Sequence, residues 1–101
     1  MTPSELDALV LKHVMEWAHR GKHDVTFRPS TDPAACAEVK VKMIGSNYNW
    51  QISGDNRGWS TRLTSLGVGL CEANARAATE ERAVCIAALR VLGVETPDDA
   101  G

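Results

Sequence analysis

The sequence has few aromatic residues, few cysteines and no long apolar run. Only five aromatic residues are present, three of them tryptophans. Cys36, Cys71 and Cys85 are odd in number and form no Cys-x-x-Cys pair, so they indicate neither a disulfide framework nor a zinc site. No apolar run approaches the ~20 residues that a membrane-spanning helix needs. Met1 leads into a helix signal and not into a signal peptide, so we expect a cytoplasmic protein.

The sequence also lacks an excess of charge of either sign. Eleven Lys and Arg residues against thirteen Asp and Glu residues give a net charge of −2, which argues against coating of nucleic acid by bulk attraction. A chain of 101 residues can bury one core but not two. We therefore expect a single domain over residues 1–93 and a flexible polar tail over residues 94–101.

A first helix is predicted over residues 3–20. Pro3 suits the first helical position, Glu5 suits the first turn, and apolar residues then recur at helical spacing. Gly21 supplies a stop signal, with basic residues before it that suit the negative end of the helix dipole.

The next segments give weaker signals. Residues 24–31 alternate and include a proline, which is compatible with a short edge strand. Asp32 starts and Gly45 stops a predicted helix over residues 33–44, although residues 39–43 also alternate as a half-buried strand does.

A last helix is predicted over residues 79–92. Thr79 suits the cap, and Gly93 suits the stop. The segment is apolar around almost its whole circumference, which indicates either a central position or contact with another subunit. Residues 64–78, which precede it, are interpreted as a loop or a weak extra strand.

A β-hairpin is predicted over residues 48–63. Apolar and polar residues alternate on both sides of a turn rich in Gly, Asp and Asn. We expect Ile52 opposite Trp59 and Trp50 opposite Thr61, which puts the alternating residues on one face. That face needs covering, so the tryptophans are expected to fill the core and not to stack on a ligand. The six residues are Tyr48, Trp50, Ile52, Trp59, Thr61 and Leu63. The predicted class is α+β, with a small antiparallel sheet of two or three strands packed with three helices.

Four short patterns lie along the chain. They are Leu6-Asp7-x-Leu9-Val10 with Val14-Met15-x-Trp17, Pro29-Ser30-Thr31-Asp32 with Ala34-Ala35, Glu38-Val39-x-x-Lys42-Met43, and Ala83-Val84-Cys85-x-Ala87-Ala88-Leu89. Over most of residues 3–92 these patterns resemble the phage ABA sandwich domain family, small bacteriophage and prophage proteins whose name describes a sheet packed with helices. The chain departs from the family at Ala37, where a tryptophan is common, and in the long segment 64–78. The resemblance implies a phage accessory protein in the host bacterial cytoplasm, supports a helix at 33–44, and brings no catalytic or binding residue.

No set of residues predicts catalysis, a metal or a cofactor. His19 and His23 are four residues apart, but Gly21 interrupts the helix that would align them. The chain has no Gly-x-Ser-x-Gly motif, and the glycines at 67 and 69 lack the spacing of a phosphate-binding loop. We therefore expect no enzymatic activity, no catalytic residue and no cofactor.

Candidate binding residues lie near the end of the first helix and at the hairpin turn. Ordinary helix-end and turn residues are the alternative interpretation. In the binding interpretation, the arginines among these candidates form a patch that binds an anion or an acidic protein surface. The candidates are Arg20, Lys22, Arg28, Asp55, Asn56, Arg57 and Arg62.

These features favour a non-enzymatic protein that acts by stoichiometric binding. The family resemblance implies a phage accessory protein, which we expect to antagonise host defence by occluding a host protein. The alternatives are a sponge for a small anionic nucleotide, an enzyme acting on nucleotides, and a structural phage component. Neither bulk nucleic-acid binding nor membrane association is expected. The apolar last helix is the candidate surface for a homo-oligomer.

Overall fold

Within the described part of the chain, the fold combines three helices with one three-stranded sheet. The computed structural model describes residues 3–14, 28–66, 71–94 and 96. The strands form an antiparallel sheet in the order β1-β2-β3, which confirms the predicted α+β class. The elements are α1 (Pro3–His13), α2 (Pro33–Gly45), β1 (Tyr48–Asp55), β2 (Gly58–Ser65), β3 (Glu72–Ala77) and α3 (Glu80–Val91).

Local capping residues set the starts of α2 and α3. The side chain of Asp32 accepts a hydrogen bond from the backbone N–H of Ala34 at 3.1 Å, with proline in the first turn. The Thr79 hydroxyl accepts one from the N–H of Arg82 at 3.3 Å. Each bond satisfies a backbone donor that the first turn leaves free, so both predicted starts are confirmed.

The end of α2 differs from the prediction. Gly45 is still helical, and the residue that adopts the left-handed conformation is Asn47, with φ of 69°. Asparagine tolerates this conformation better than most residues, so it reverses the chain where we expected glycine to do so. The stop at Gly93 is confirmed, with φ of 86°.

The segments before α2 are described only in part. The N–H of Val14 still bonds to the carbonyl of Val10 at 2.9 Å, but residues 15–27, including the predicted end of the first helix, lie outside the described residues. Residues 29–31 form a turn, so the strand prediction for 24–31 is wrong over its described part. The carboxylate of Asp7 accepts the N–H of Ser30 at 2.9 Å, which fastens this turn to α1.

The hairpin forms, but its register differs from the prediction by two residues. Ile52 lies opposite Thr61 and Trp50 opposite Leu63, whereas we expected Trp59 opposite Ile52. A shift by two residues keeps every side chain on the same face, so the apolar pattern cannot distinguish the two registers. The shared face is therefore confirmed and the predicted pairing is wrong.

The residues that occupy the turn distinguish the observed register from the predicted one. The strands continue to the pair Asp55 and Gly58, so only Asn56 and Arg57 connect them. The carboxylate of Asp55 accepts the N–H of Arg57 at 2.8 Å. The predicted register would also close through two residues, Asp55 and Asn56, so the two registers differ in which residues occupy the turn. In the observed register Gly58, with its positive φ of 129°, directly follows the turn.

The core lies between one face of the sheet and the helices. Residues 83–89 of α3 are all buried, because α3 packs against β2, β3, α1 and α2. The apolar circumference of α3 is thus covered within one chain and no longer indicates contact with another subunit. α2 covers β1, where the Trp50 indole N–H donates to the Lys40 carbonyl at 3.2 Å. Lys40 also pairs with Glu80 at the start of α3.

Two further segments, the one before α3 and the one after it, also contact the rest of the fold. Of the alternatives for residues 64–78, the extra strand is the one observed, as β3. Within the predicted tail, the N–H of Val94 bonds to the Leu89 carbonyl at 3.0 Å, and Thr96 is buried.

Candidate functional site

The sheet face that points away from the helices is polar on all three strands. Strand alternation sends the side chains next to each core-facing residue to this face. Two cross-strand rows occupy its middle, and a third lies towards the start of β1. The rows are Gln51, Arg62 and Asn74; Ser53, Ser60 and Arg76; and Asn49, Thr64 and Glu72. None of these nine side chains is aromatic or aliphatic, so the face presents hydrogen-bonding groups to solvent. We call it the polar face.

A groove of about 510 Å³ crosses the two middle rows of the polar face. The groove is lined by the six residues of those rows, together with residues 52, 61 and 75. This volume is comparable to that of small-molecule pockets, roughly 300 to 1,000 Å³. Because all six of these side chains end in hydrogen-bonding groups, the groove can hold a charged or hydrogen-bonding ligand.

Positive charge on the polar face comes from two arginines. Arg62 pairs with Glu72, with 2.9 Å between Nε and Oε1, and the side chains are 53% and 48% exposed. An exposed pair of this kind contributes at most ~1 kcal/mol, so a ligand can displace it at little cost. Arg76 is exposed and has no ion-pair partner among the described residues, which makes it the uncompensated positive charge in the groove.

The structure separates the candidate binding residues predicted from the sequence. Arg62 lines the groove, and residues 55–57 are exposed at the hairpin turn just beyond the row that contains Ser60. Arg28 instead lies in the turn that leads into α2, where its carbonyl accepts the N–H groups of residues 31 and 32. Arg20 and Lys22 lie outside the described residues.

Sequence reasoning missed most of the groove. The signal was the alternation of β3, in which buried alanines at 73, 75 and 77 flank Asn74 and Arg76. Alanine is a weak strand former, so this alternation did not stand out as a strand pattern. The groove residues not singled out are Gln51, Ser53, Ser60, Asn74 and Arg76.

The cysteines do not supply a reactive thiolate to this face. Burial raises the pKa of Cys36 to about 11 and raises the pKa of Cys85 well above its ordinary value. Both thiols are therefore protonated at neutral pH and are weak nucleophiles. Cys71 is exposed just before β3.

Two further kinds of site are absent from residues 3–14, 28–66, 71–94 and 96. There, no three His, Cys, Asp or Glu side chains gather in a way that would hold a metal ion. Across the same residues, no helix has the length and apolar character needed to cross a bilayer.

Comparisons of the chain with protein-family models, curated proteins and solved structures find no match. The resemblance to the phage ABA sandwich domain family therefore stays a prediction. Function is inferred from the polar face and the residues that line its groove.

Proposed function

We propose that this protein is a non-enzymatic binding protein that acts by stoichiometric contact through the polar face. The observation that supports the proposal is the groove across three paired strands, whose walls carry amide, hydroxyl and guanidinium groups. The backbone that carries these side chains is already ordered by strand pairing, so little backbone entropy is lost when a partner binds.

The charges of the groove indicate the chemistry of the partner. Arg76 has no ion-pair partner among the described residues, and Arg62 can exchange the exposed carboxylate of Glu72 for one from a partner protein. Arginine binds carboxylates and phosphates through two parallel hydrogen bonds. An acidic surface therefore fits the groove better than a basic one. Since the net charge of the chain is −2, recognition depends on this local patch and not on bulk attraction.

The family resemblance supports a more specific version of the proposal. In that version the chain is a phage accessory protein in the host bacterial cytoplasm, and its partner is a host defence protein with an acidic surface. By covering that surface, the chain prevents the defence protein from engaging its own target. No turnover is required, because one bound copy inactivates one partner.

Affinity capture from infected bacterial lysate tests this proposal, with and without nuclease. We expect wild-type protein to retain one host protein whether or not nuclease is added. Arg76→Glu is expected to abolish retention because it reverses the uncompensated charge. Lys42→Glu is the matched control, since it makes the same charge change on an exposed position of α2. A partner that is lost on nuclease treatment, or one that is retained equally by Arg76→Glu, would contradict the proposal.

A sponge for a small anionic nucleotide is the second candidate, and the groove volume of about 510 Å³ favours it. Titration calorimetry with a panel of nucleotides tests it. Micromolar binding that Arg76→Glu removes and Lys42→Glu preserves, with the nucleotide recovered unchanged, supports the sponge. Recovery of a hydrolysed nucleotide would contradict the non-enzymatic assignment.

A further inference from the structure

The two edges of the sheet are protected differently. β2 is central, so β1 and β3 are the edge strands. On β3, the Arg90 guanidinium donates to the Asn74 carbonyl at 2.9 Å and to the Thr96 carbonyl at 2.6 Å. A charged side chain from α3 and the segment at Thr96 therefore obstruct this edge. Among the described residues, no comparable bond caps β1.

Among the residues that the structure describes, none bonds to the backbone along the outer edge of β1, so this edge presents a regular row of donors and acceptors. The bond from the Leu66 N–H to the Asn47 carbonyl, 2.8 Å long, fixes which residues of β1 bond to β2. Bonding alternates along an antiparallel pair, so the residues that point outwards are Tyr48, Trp50, Ile52 and Gly54. Strands usually protect such an edge with proline, lysine or a short length. β1 has eight residues and contains neither proline nor lysine.

The apolar layer also continues up to this edge. In the middle of β2 the core-facing residues Thr61 and Leu63 are buried, whereas Trp50 and Ile52 opposite them on β1 are only half-buried. α2, which covers β1, carries two large apolar side chains that remain exposed, Val41 at 68% and Ile44 at 57%. Half-buried apolar side chains such as Trp50 and Ile52 at an open strand edge are typical of an interface.

We propose that two copies of this chain pair antiparallel through β1, about a two-fold axis at Gln51, to form a six-stranded sheet. Tyr48 then lies opposite Gly54 of the partner subunit, and Trp50 lies opposite Ile52 of the partner subunit. This register pairs all four outward-pointing residues of each copy, whereas any shifted register leaves some unpaired.

A second copy fits this edge because two β1 strands can pair without charge repulsion. Its only charged residue is Asp55 at the end, so the two-fold brings no like charges together. Because the β3 edge is obstructed, the assembly closes at two copies and does not extend into a fibre.

Dimerisation through β1 enlarges the polar face. Gln51 and Ser53 line the groove and belong to the pairing strand. The two grooves therefore become neighbours on one continuous face. The dimer is argued from the edge of β1 and does not depend on the proposed function. Its test uses the purified chain alone, so either proposal can fail without the other.

Light scattering on the purified protein tests the dimer. We expect a mass twice the 10.9 kDa of one chain. Ile52→Pro is expected to give the mass of one chain, because it removes an outward N–H at the centre of the pairing. Proline is tolerated where an edge-strand N–H faces solvent, so the hairpin is retained, which circular dichroism checks. A wild-type mass of one chain at every concentration would overturn the proposal.

A charge exchange at Gln51 tests the register. Gln51→Lys and Gln51→Glu each place like charges opposite each other, which raises the dimer dissociation constant about fivefold at low salt. Mixing the two variants pairs opposite charges and restores the dimer. Asn74→Lys, the same kind of change on the obstructed edge strand, leaves the mass unchanged. A wild-type dissociation constant for both Gln51 variants would rule out this axis.

Discussion

Replacement of Gly58 by alanine is the sharpest test of how the sheet is built. Gly58 opens β2 with φ of 129°, a conformation that residues with a side chain rarely adopt. A Cβ at this position would lie 2.6 Å from the carbonyl oxygen of Ala77 and 3.4 Å from its carbonyl carbon. Both atoms belong to the backbone of the neighbouring strand, so no side-chain rotation relieves the clash.

The expected cost of Gly58→Ala combines two effects. The positive φ costs ~1 to 2 kcal/mol, and the clash with the strand backbone adds ~1 to 3 kcal/mol. The free energy of unfolding should therefore fall by ~2 to 5 kcal/mol, a large fraction of the ~5 to 15 kcal/mol typical of a domain. Urea unfolding followed by tryptophan fluorescence measures this change.

Gly45→Ala is the matched control because it makes the same chemical change in α2. No atom lies within 4 Å of a Cβ built at Gly45, and the residue is helical. Alanine there should raise the free energy of unfolding by ~0.5 to 1 kcal/mol. Equal effects of the two substitutions, or a Gly58→Ala protein as stable as wild type, would refute the geometry of the two-residue turn.

Three further predictions concern buried groups. Thr61 is 2% exposed and its hydroxyl has no hydrogen-bond partner among the described residues. Thr61→Val should therefore raise the free energy of unfolding by ~1 kcal/mol. A lower free energy of unfolding in urea would show that the hydroxyl is hydrogen-bonded. An aromatic disulfide reagent should titrate Cys71 at once and reach Cys36 and Cys85 only on unfolding, because both are buried; rapid labelling of more than one thiol would contradict this. The raised pKa of Cys36, from 9.0 to about 11, keeps its thiol protonated in the folded state, so its contribution to stability is intact below about pH 9 and lost as the pH rises towards 11. The pKa of Lys40 is also raised, mainly by its hydrogen bond to Glu80. The stability that this bond contributes is therefore likewise lost as the pH rises through that pKa. Alkaline urea titrations of wild type and Cys36→Ala measure the difference, and identical pH profiles would contradict it.

The sequence by itself determined the local elements and their faces. Asp32 and Thr79 start helices because a short polar side chain satisfies free N–H groups within a few residues. The alternation of the hairpin placed Trp50 and Thr61 on one face, since strand periodicity depends only on position along the chain. These properties need no knowledge of distant residues, which is why they could be predicted.

Only the tertiary structure decided the register, the third strand and the uncovered face. Shifting the hairpin by two residues leaves the pattern unchanged, so the pairing of Ile52 with Thr61 depends on which residues form the turn and on the backbone of β3 beside Gly58. The alanines of β3 become a strand because α3 and β2 bury them, not because of their own preference. Arg62 and Arg76 are brought into one groove by pairing between strands, and a pairing between distant segments is a property that no local pattern contains.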